Sequence, residues 1–248
     1  MVGALLALVN PAQAAPGRYV ALGDSYSSGT GTRSYDLGPS CQRSRYAYPA
    51  LVARQRPSLK LVFAACAGAT TDDVLLTQVR RLDAATRLVT ITIGGNDVGF
   101  AEVLGACIQV PSACAGAIER GRGAIRRSLP AKLDAVYAEI RRRAPDAKVI
   151  VLGYPRLFES ASCESIPAAR VAQLNRGADL LRDVIGARVR AAGGGFSFAD
   201  AIPAFDGHGI CARRPWINGL VRPLTESYHP ARGGHSGGYA PLVLHALR

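Results

Sequence analysis

Five short β-rich runs punctuate the chain, at residues 18–23, 59–64, 88–93, 148–152 and 195–199, each bounded by turn residues or by the next helical stretch. Between them, residues 71–81, 113–143 and 167–192 carry apolar side chains at three- and four-residue spacing, the period of an amphipathic helix. Pro130 predicts a break in the second of these, because proline lacks the amide and clashes with the preceding turn. A further helix-like stretch, residues 234–247, closes the chain. Strands that alternate with helices build βαβ units and a mostly parallel sheet covered on both faces. The expected architecture is therefore a three-layer α/β/α sandwich around a central five-stranded sheet. No internal repeat or low-complexity tract interrupts it, and Gly193-Gly194-Gly195 reads as a helix stop before the last strand. Residues 205–228, rich in Gly, Pro and Arg, read as a long excursion held by Cys211.

Open parallel sheets bind their ligands beyond the carboxyl ends of the strands. Three segments fall there: Asp24-Ser25 after the first run, Cys66-Ala67-Gly68 after the second and Gly94-Gly95-Asn96 after the third. Ser25 sits between an apolar run and the small turn-forming residues up to Gly29, a position that presents a side chain instead of packing it. A serine hydroxyl is a weak nucleophile at neutral pH and needs a base within hydrogen-bond reach, generally an imidazole. Among His208, His229, His235 and His245, His229 stands out in a short loop, Ser227-Tyr228-His229-Pro230, ahead of the final helical stretch. His208 is the competitor, in a loop that Cys211 anchors, while His235 and His245 fall at helix positions. For the oxyanion of an acyl-transfer intermediate, Gly68 permits close backbone approach and Asn96 supplies a neutral amide donor. The Ser25 N–H at a helix start would make a third. Asp24 and Asp97 are expected to make local turn hydrogen bonds.

Other chemistries lack their signatures. The segment Gly23-Asp24-Ser25-Tyr26-Ser27 has no second glycine and so does not match G-x-S-x-G. H-E-x-x-H, the phosphate-loop motif and a post-strand G-x-G-x-x-G are absent from the chain. No metal, nucleotide or redox cofactor is expected. Six cysteines without any C-x-x-C spacing read as three disulfides, in any of the fifteen pairings that six cysteines allow. Disulfides imply an oxidising, extracellular compartment. Residues 1–14 agree, being apolar and ending in the small-x-small pattern Ala12-Gln13-Ala14. They lack the usual positively charged start and read as a signal-peptide remnant cleaved after Ala14, leaving residues 15–248 as a single domain.

The chain has 248 residues, 48% hydrophobic and 19% charged, and a net charge of +12, with an isoelectric point near 9.9. Length and apolar content suffice for one sizeable core. Almost all the excess charge is arginine, since only Lys60, Lys132 and Lys148 are lysines. Such a surface attracts anionic lipid, cell-wall polymer or nucleic acid alike. The densest clusters, residues 120–127 and 141–143, lie in helical stretches without the interleaved aromatics of a stacking nucleic-acid surface, so no nucleic-acid partner is expected.

The four blocks, Leu22-Gly23-Asp24-Ser25, Ala67-Gly68-Ala69-Thr70, Gly94-Gly95-Asn96-Asp97 and Ser227-Tyr228-His229-Pro230, resemble the GDSL or SGNH hydrolases, named for the Ser, Gly, Asn and His of such blocks. The resemblance spans nearly the whole chain from Tyr19. The segments from Phe205 to Cys211 and from Trp216 to Leu220 also look like the secreted actinobacterial lipase and esterase branch. It implies the flavodoxin-like SGNH fold and a secreted carboxylester hydrolase that cleaves fatty acyl esters through an acyl-serine on Ser25, with His229 as base; the chain is separately expected to be a monomer. Ser25, Gly68 and Asn96 would form the oxyanion hole. It also implies the disulfides Cys41–Cys66, Cys107–Cys114 and Cys163–Cys211. The family commonly places an aspartate three residues before the histidine; here that residue is Glu226. Its carboxylate would complete a triad, or a main-chain carbonyl, that of Glu226 or Ser227, would orient the ring instead. Site chemistry alone leaves a carbohydrate O-deacetylase, a phospholipase A and a non-enzymatic basic wall- or lipid-binding protein open as alternatives.

Overall fold

The computed structural model describes residues 17–159, 163 and 166–248, so the signal-peptide reading of residues 1–14 lies outside the described residues. Five strands form the sheet: β1 (Gly17–Gly23), β2 (Leu59–Phe63), β3 (Thr86–Thr92), β4 (Lys148–Leu152) and β5 (Phe196–Ala199). Their spatial order is β2-β1-β3-β4-β5. All four pairings are parallel, so the sheet is wholly rather than mostly parallel. This is the flavodoxin-like order, in which the connections diverge on either side of β1 and open a crevice at the carboxyl ends of β1 and β3. Residues 19–22 of β1 and 149–152 of β4 are buried on both faces, which explains why these runs are continuously apolar.

The first connections carry α1 (Ser25–Ser28), α2 (Tyr48–Gln55) and α3 (Thr71–Leu76). After β3 come α4 (Phe100–Gln109), α5 (Cys114–Arg127) and α6 (Leu129–Arg143). The long α7 (Ala168–Ala192) links β4 to β5, and α8 (Ala201–Ala204) and α9 (Ala240–Ala246) follow. α2 packs with α9, whereas α3 and α7 both pack on α6, and α5 on α7. Right-handed crossovers place these two groups on opposite faces of the sheet. Pro130 sits in the first turn of α6, and the predicted break falls at Ser128, because proline fits a first turn where no intrahelical amide is required. The stretch expected as one helix over residues 71–81 is α3 followed by a 3-10 turn, Gln78–Arg81. Tyr48–Gln55 and Phe100–Gln109 are helices that the apolar spacing did not single out.

Cys41–Cys66, Cys107–Cys114 and Cys163–Cys211 are the three disulfides of the structure. The first holds the loop after α1 to the loop after β2, the second joins α4 to α5, and the third ties the excursion after α8 to the segment ahead of α7. Arg122 and Arg142 pair with Glu119 and Glu139 one turn away on exposed faces of α5 and α6. Such pairs contribute little to stability. Among the described residues no helix is long and apolar enough to cross a membrane.

The end of β1 is closely packed against β3. Gly23 has φ of 119°, and a Cβ there would lie 2.3 Å from the Thr92 carbonyl oxygen and 2.8 Å from Ser27 Oγ. The Gln78 side chain clamps the same residue, accepting from its N–H at 2.7 Å and donating to its carbonyl at 2.9 Å. Gly23→Ala is therefore expected to cost about 2 kcal/mol or more by combining backbone strain with overpacking. Chemical denaturation measures it, and a change under about 0.5 kcal/mol, the size of an ordinary surface substitution, would contradict this account.

Candidate active site

Ser25 opens α1 directly after β1. Asp24 caps that helix, accepting the Tyr26 N–H at 3.0 Å. The turn is short because Gly29 leaves it in the left-handed conformation at φ 105°. Ser25 Oγ lies 2.9 Å from His229 Nε2. On the other side of the ring, Nδ1 lies 2.8 Å from the Ser227 carbonyl oxygen. A neutral imidazole protonated on Nδ1 would donate to that carbonyl and present the Nε2 lone pair to the serine hydroxyl.

Glu226 is placed differently from a triad carboxylate. It is buried, and its Oε1 accepts the hydroxyl of Tyr35 while Oε2 has no hydrogen-bond partner among the described residues. The Glu226 carbonyl accepts Asn218 Nδ2 at 3.1 Å. Of the three groups considered as orienters, only the Ser227 carbonyl meets Nδ1. The longer side chain carries the Glu226 carboxylate past the ring towards Tyr35, leaving its charge to act on His229 only through space.

The histidine loop is held from two sides. Tyr228 adopts the left-handed region at φ 61°, which a bulky residue occupies only where its surroundings impose it. Its carbonyl accepts the Tyr26 hydroxyl at 2.7 Å, tying the loop to the turn that carries Ser25. Asn218 braces the other edge: its N–H donates to the His229 carbonyl and its own carbonyl accepts the Tyr228 N–H, both at 2.9 Å. Asn218 Nδ2 also reaches the Gly31 carbonyl at 2.9 Å.

Gly68 lies in the loop after β2 with φ of 80°, and a Cβ there would meet nothing within 4 Å, so it is the backbone conformation that calls for glycine. Asn96 Nδ2 donates to the Ala69 carbonyl at 2.9 Å, joining the loops that follow β2 and β3. The amide carries a second proton for another acceptor. At the first helical position the Ser25 N–H has no intrahelical partner. Asp97 departs from the expected local turn. Its carboxylate accepts the Thr71 hydroxyl at 2.6 Å and the Thr71 N–H at 3.0 Å, and it meets Lys132 Nζ at 3.2 Å. The neighbour that the tertiary fold supplies, the start of α3, outcompetes local bonding. Asp24 likewise does more than cap its turn, accepting Thr92 Oγ1 at 2.8 Å and the Tyr154 hydroxyl.

The other histidines are engaged elsewhere. His208 stacks on Trp216 with ring centroids 3.6 Å apart, and its Nδ1 lies 2.8 Å from the Arg214 carbonyl. His235 is wholly buried in a π-helical turn, Gly234–Tyr239, where Nδ1 accepts the Tyr48 N–H at 3.3 Å. His245 is exposed on α9. Among the described residues no three His, Cys, Asp or Glu side chains gather as a metal site would need. Two apolar recesses adjoin the site. One runs from Tyr26, Gly95 and Tyr154 to Leu104, Ile125 and Leu181; the other, of about 250 Å³, lies between α4 and His229, with Leu220 and Leu224 among its lining residues.

Burial dominates the electrostatics. It pushes His229 down to about 4, against the upward pull of the Ser227 carbonyl and the Glu226 charge. It pushes Asp24 up to about 6, against the hydrogen bonds from Tyr154, Thr92 and Tyr26 that favour the carboxylate. The imidazole is thus neutral, and able to accept a proton, well below the range of an ordinary histidine.

The GDSL-like lipase/acylhydrolase family model matches residues 21–236. A lipase of Streptomyces rimosus is 45% identical over 229 residues, 91% of this chain and 85% of that protein. Lipase 1 of Streptomyces coelicolor is 41% identical over 247 residues, covering 98% and 91% of the two chains. Among solved structures, the extracellular lipase from Streptomyces rimosus superposes with a TM-score of 0.89 at 44% identity, and phospholipase A1 from Streptomyces albidoflavus NA297 with 0.88 at 41%. Each comparison covers 93% of this chain and 99% of the other.

Two outcomes follow for a purified enzyme assay. Glu226→Gln is expected to hold kcat within about tenfold, far from the roughly 10,000-fold loss that follows loss of a triad aspartate, and to lower the acid limb of kcat/KM, since its charge raises the His229 value. A thousandfold loss would restore its carboxylate to the triad. In the unsubstituted protein that limb, which reports the free enzyme, is expected near pH 4: a base whose folded value is depressed gains its proton, and loses function, only as pH falls through that value. Because Asp24 titrates at about 6, Asp24→Asn is the control, and the lower limb should survive in it. A limb at 6.5, the ordinary histidine value, would mean that the ring is solvated in the free enzyme.

Proposed function

Because the chain belongs to the GDSL-like lipase/acylhydrolase family, we propose that this carboxylic ester hydrolase is a secreted lipase or esterase that cleaves fatty acyl esters through an acyl-serine on Ser25. The observation that carries the reading is the dyad at the mouth of the β1/β3 crevice: Ser25 Oγ 2.9 Å from His229 Nε2, with Nδ1 held by the Ser227 carbonyl. In the first half-reaction Ser25 attacks the ester carbonyl while His229 takes its proton. The tetrahedral oxyanion rests against the Ser25 N–H, the Gly68 N–H and Asn96 Nδ2. His229 then passes the proton to the departing alcohol, leaving the acyl group on Ser25. In the second half-reaction His229 removes a proton from water, which releases the acid and regenerates the serine.

A main-chain carbonyl in place of a carboxylate fixes the tautomer and orientation of the ring. It brings no full negative charge beside the imidazolium, so Coulombic stabilisation falls to the more distant Glu226. The apolar recess of about 250 Å³ that His229 lines favours an acyl chain over a small acetyl group, and two named lipases and a phospholipase A1 among its relatives point to the same substrate class. Secretion is supported by three disulfides, by the apolar start of the chain and by the relative described as extracellular. The basic surface suits peripheral contact with anionic lipid or wall polymer. We take residues 15–248 to be a monomeric single domain, in which the described strands share one sheet and one continuous core.

The reading is tested by hydrolysis of p-nitrophenyl esters from acetate to palmitate. Ser25→Ala and His229→Ala are each expected to remove several orders of magnitude of turnover, and Asn96→Ala roughly 100- to 1,000-fold, with the best substrate longer than acetate. Turnover indifferent to Ser25 would overturn the mechanism, and activity confined to acetyl esters would replace the lipase with a deacetylase.

A further inference from the structure

Tyr154 stands two residues beyond the end of β4, where no sequence motif marks it. Its hydroxyl donates to Asp24 Oδ2 and accepts the Gly95 N–H at 3.1 Å. The direction of this pair is set by chemistry. An ionised carboxylate only accepts, so it takes the single phenolic proton and leaves a lone pair for the amide. The ring is fixed as firmly as the hydroxyl, since Tyr154 is buried and meets Tyr26 edge-on with centroids 5.1 Å apart. It also rests directly on the loop: a Cβ added to Gly95 would lie 3.3 Å from both Tyr154 Cζ and its hydroxyl oxygen.

The loop so held carries the oxyanion donor. The peptide before Gly95 is pinned by Tyr154, and the peptide after it by Phe100, whose N–H donates to the Gly95 carbonyl at 3.1 Å. Asn96 therefore leaves a backbone whose two preceding peptide planes are both fixed. On the donor side of the same hydroxyl, Asp24 is the cap of the turn that presents Ser25. One hydroxyl thus spans the ends of β1 and β3 from a third strand. On the acyl-transfer reading above, we propose that Tyr154 is a positioning residue of the oxyanion hole, setting the Asn96 side chain against the Ser25 turn so that their donors converge on one point. Displacing preorganised donors by a fraction of an ångström costs transition-state stabilisation while leaving ground-state binding intact.

The test is a double-mutant cycle on a p-nitrophenyl ester with Tyr154→Phe, Asn96→Ala and the pair. Tyr154→Phe keeps the ring and its packing and removes the bridge. It is expected to lower kcat roughly 10- to 100-fold with KM within about twofold, and to cost less than about threefold once Asn96 is already alanine, because residues acting through one interaction are not additive. Unchanged kcat, a loss confined to KM, or the same fold-loss in both backgrounds would overturn the proposal. If Asn96→Ala alone is silent, the proposal falls together with Asn96 as a donor; if Asn96→Ala is costly and Tyr154→Phe is silent, only the positioning role falls. Should Tyr154→Phe fail to fold, Gly95→Ala displaces the phenol instead, its Cβ falling 3.3 Å from Tyr154 Cζ and from the hydroxyl oxygen. It is expected to give a smaller kcat loss that the Asn96→Ala background again absorbs, and an unabsorbed loss overturns the proposal.

Discussion

A carboxylate with almost no solvent access, that of Asp24 at the end of β1, is the constraint around which the functional end of the sheet is built. A buried charge is costly unless its oxygens are satisfied, and the partners that satisfy it come from three strand ends. The Tyr26 N–H comes from the turn after β1, Thr92 Oγ1 from the last residue of β3 and the Tyr154 hydroxyl from beyond β4. Ser27 extends the network: its hydroxyl lies 2.7 Å from Thr92 Oγ1 and 2.9 Å from the Tyr48 hydroxyl. Removing any one partner leaves the others around an underbonded anion, so the strand ends are coupled in position. That coupling fixes the place of the four-residue helix that carries Ser25.

The histidine side is built by a different principle. No carboxylate fixes His229; instead a main-chain carbonyl does, and a carbonyl orients a ring only as well as its own loop is oriented. The loop is accordingly over-determined, by Tyr26 from the turn that carries Ser25, by both backbone groups of Asn218 and by the Asn218 side chain reaching Gly31. The same enclosure removes water from the imidazole and keeps it neutral. Buried orientation and a lowered proton affinity are two consequences of one packing decision.

The loops that carry Gly68 and Asn96, the proposed oxyanion donors, are joined to one another. Asn96 binds the Ala69 carbonyl, and Asp97 holds the start of α3, which follows the Gly68 loop. The Cys41–Cys66 disulfide anchors that loop from the other side, two residues before Gly68. Donors that converge must not relax apart when charge develops, and this cross-bracing limits such relaxation.

The alternation of β-rich and helical stretches determined the layered fold, because each parallel strand needs a crossover that brings the chain back to the same end of the sheet. It also placed Ser25, Gly68 and Asn96 at the ends of three successive strands, where such sheets bind ligands, since a strand followed by a turn has only one end to offer. His229, singled out as a loop histidine against one in a disulfide-anchored loop and two at helix positions, is the histidine that the fold sets beside Ser25. What the sequence could not express was direction over distance. Glu226 sits where an aspartate would complete a triad, and whether its longer side chain meets the ring or passes it is decided by Tyr35, 191 residues away in the chain. Asp97 reads as a turn residue until Thr71 is folded against it. Tyr154 carries no motif, because its significance lies wholly in what stands around its hydroxyl. Local pattern records where the chain must turn and which face it must bury; the partners of a buried polar group are chosen by tertiary proximity, and only the folded chain contains that information.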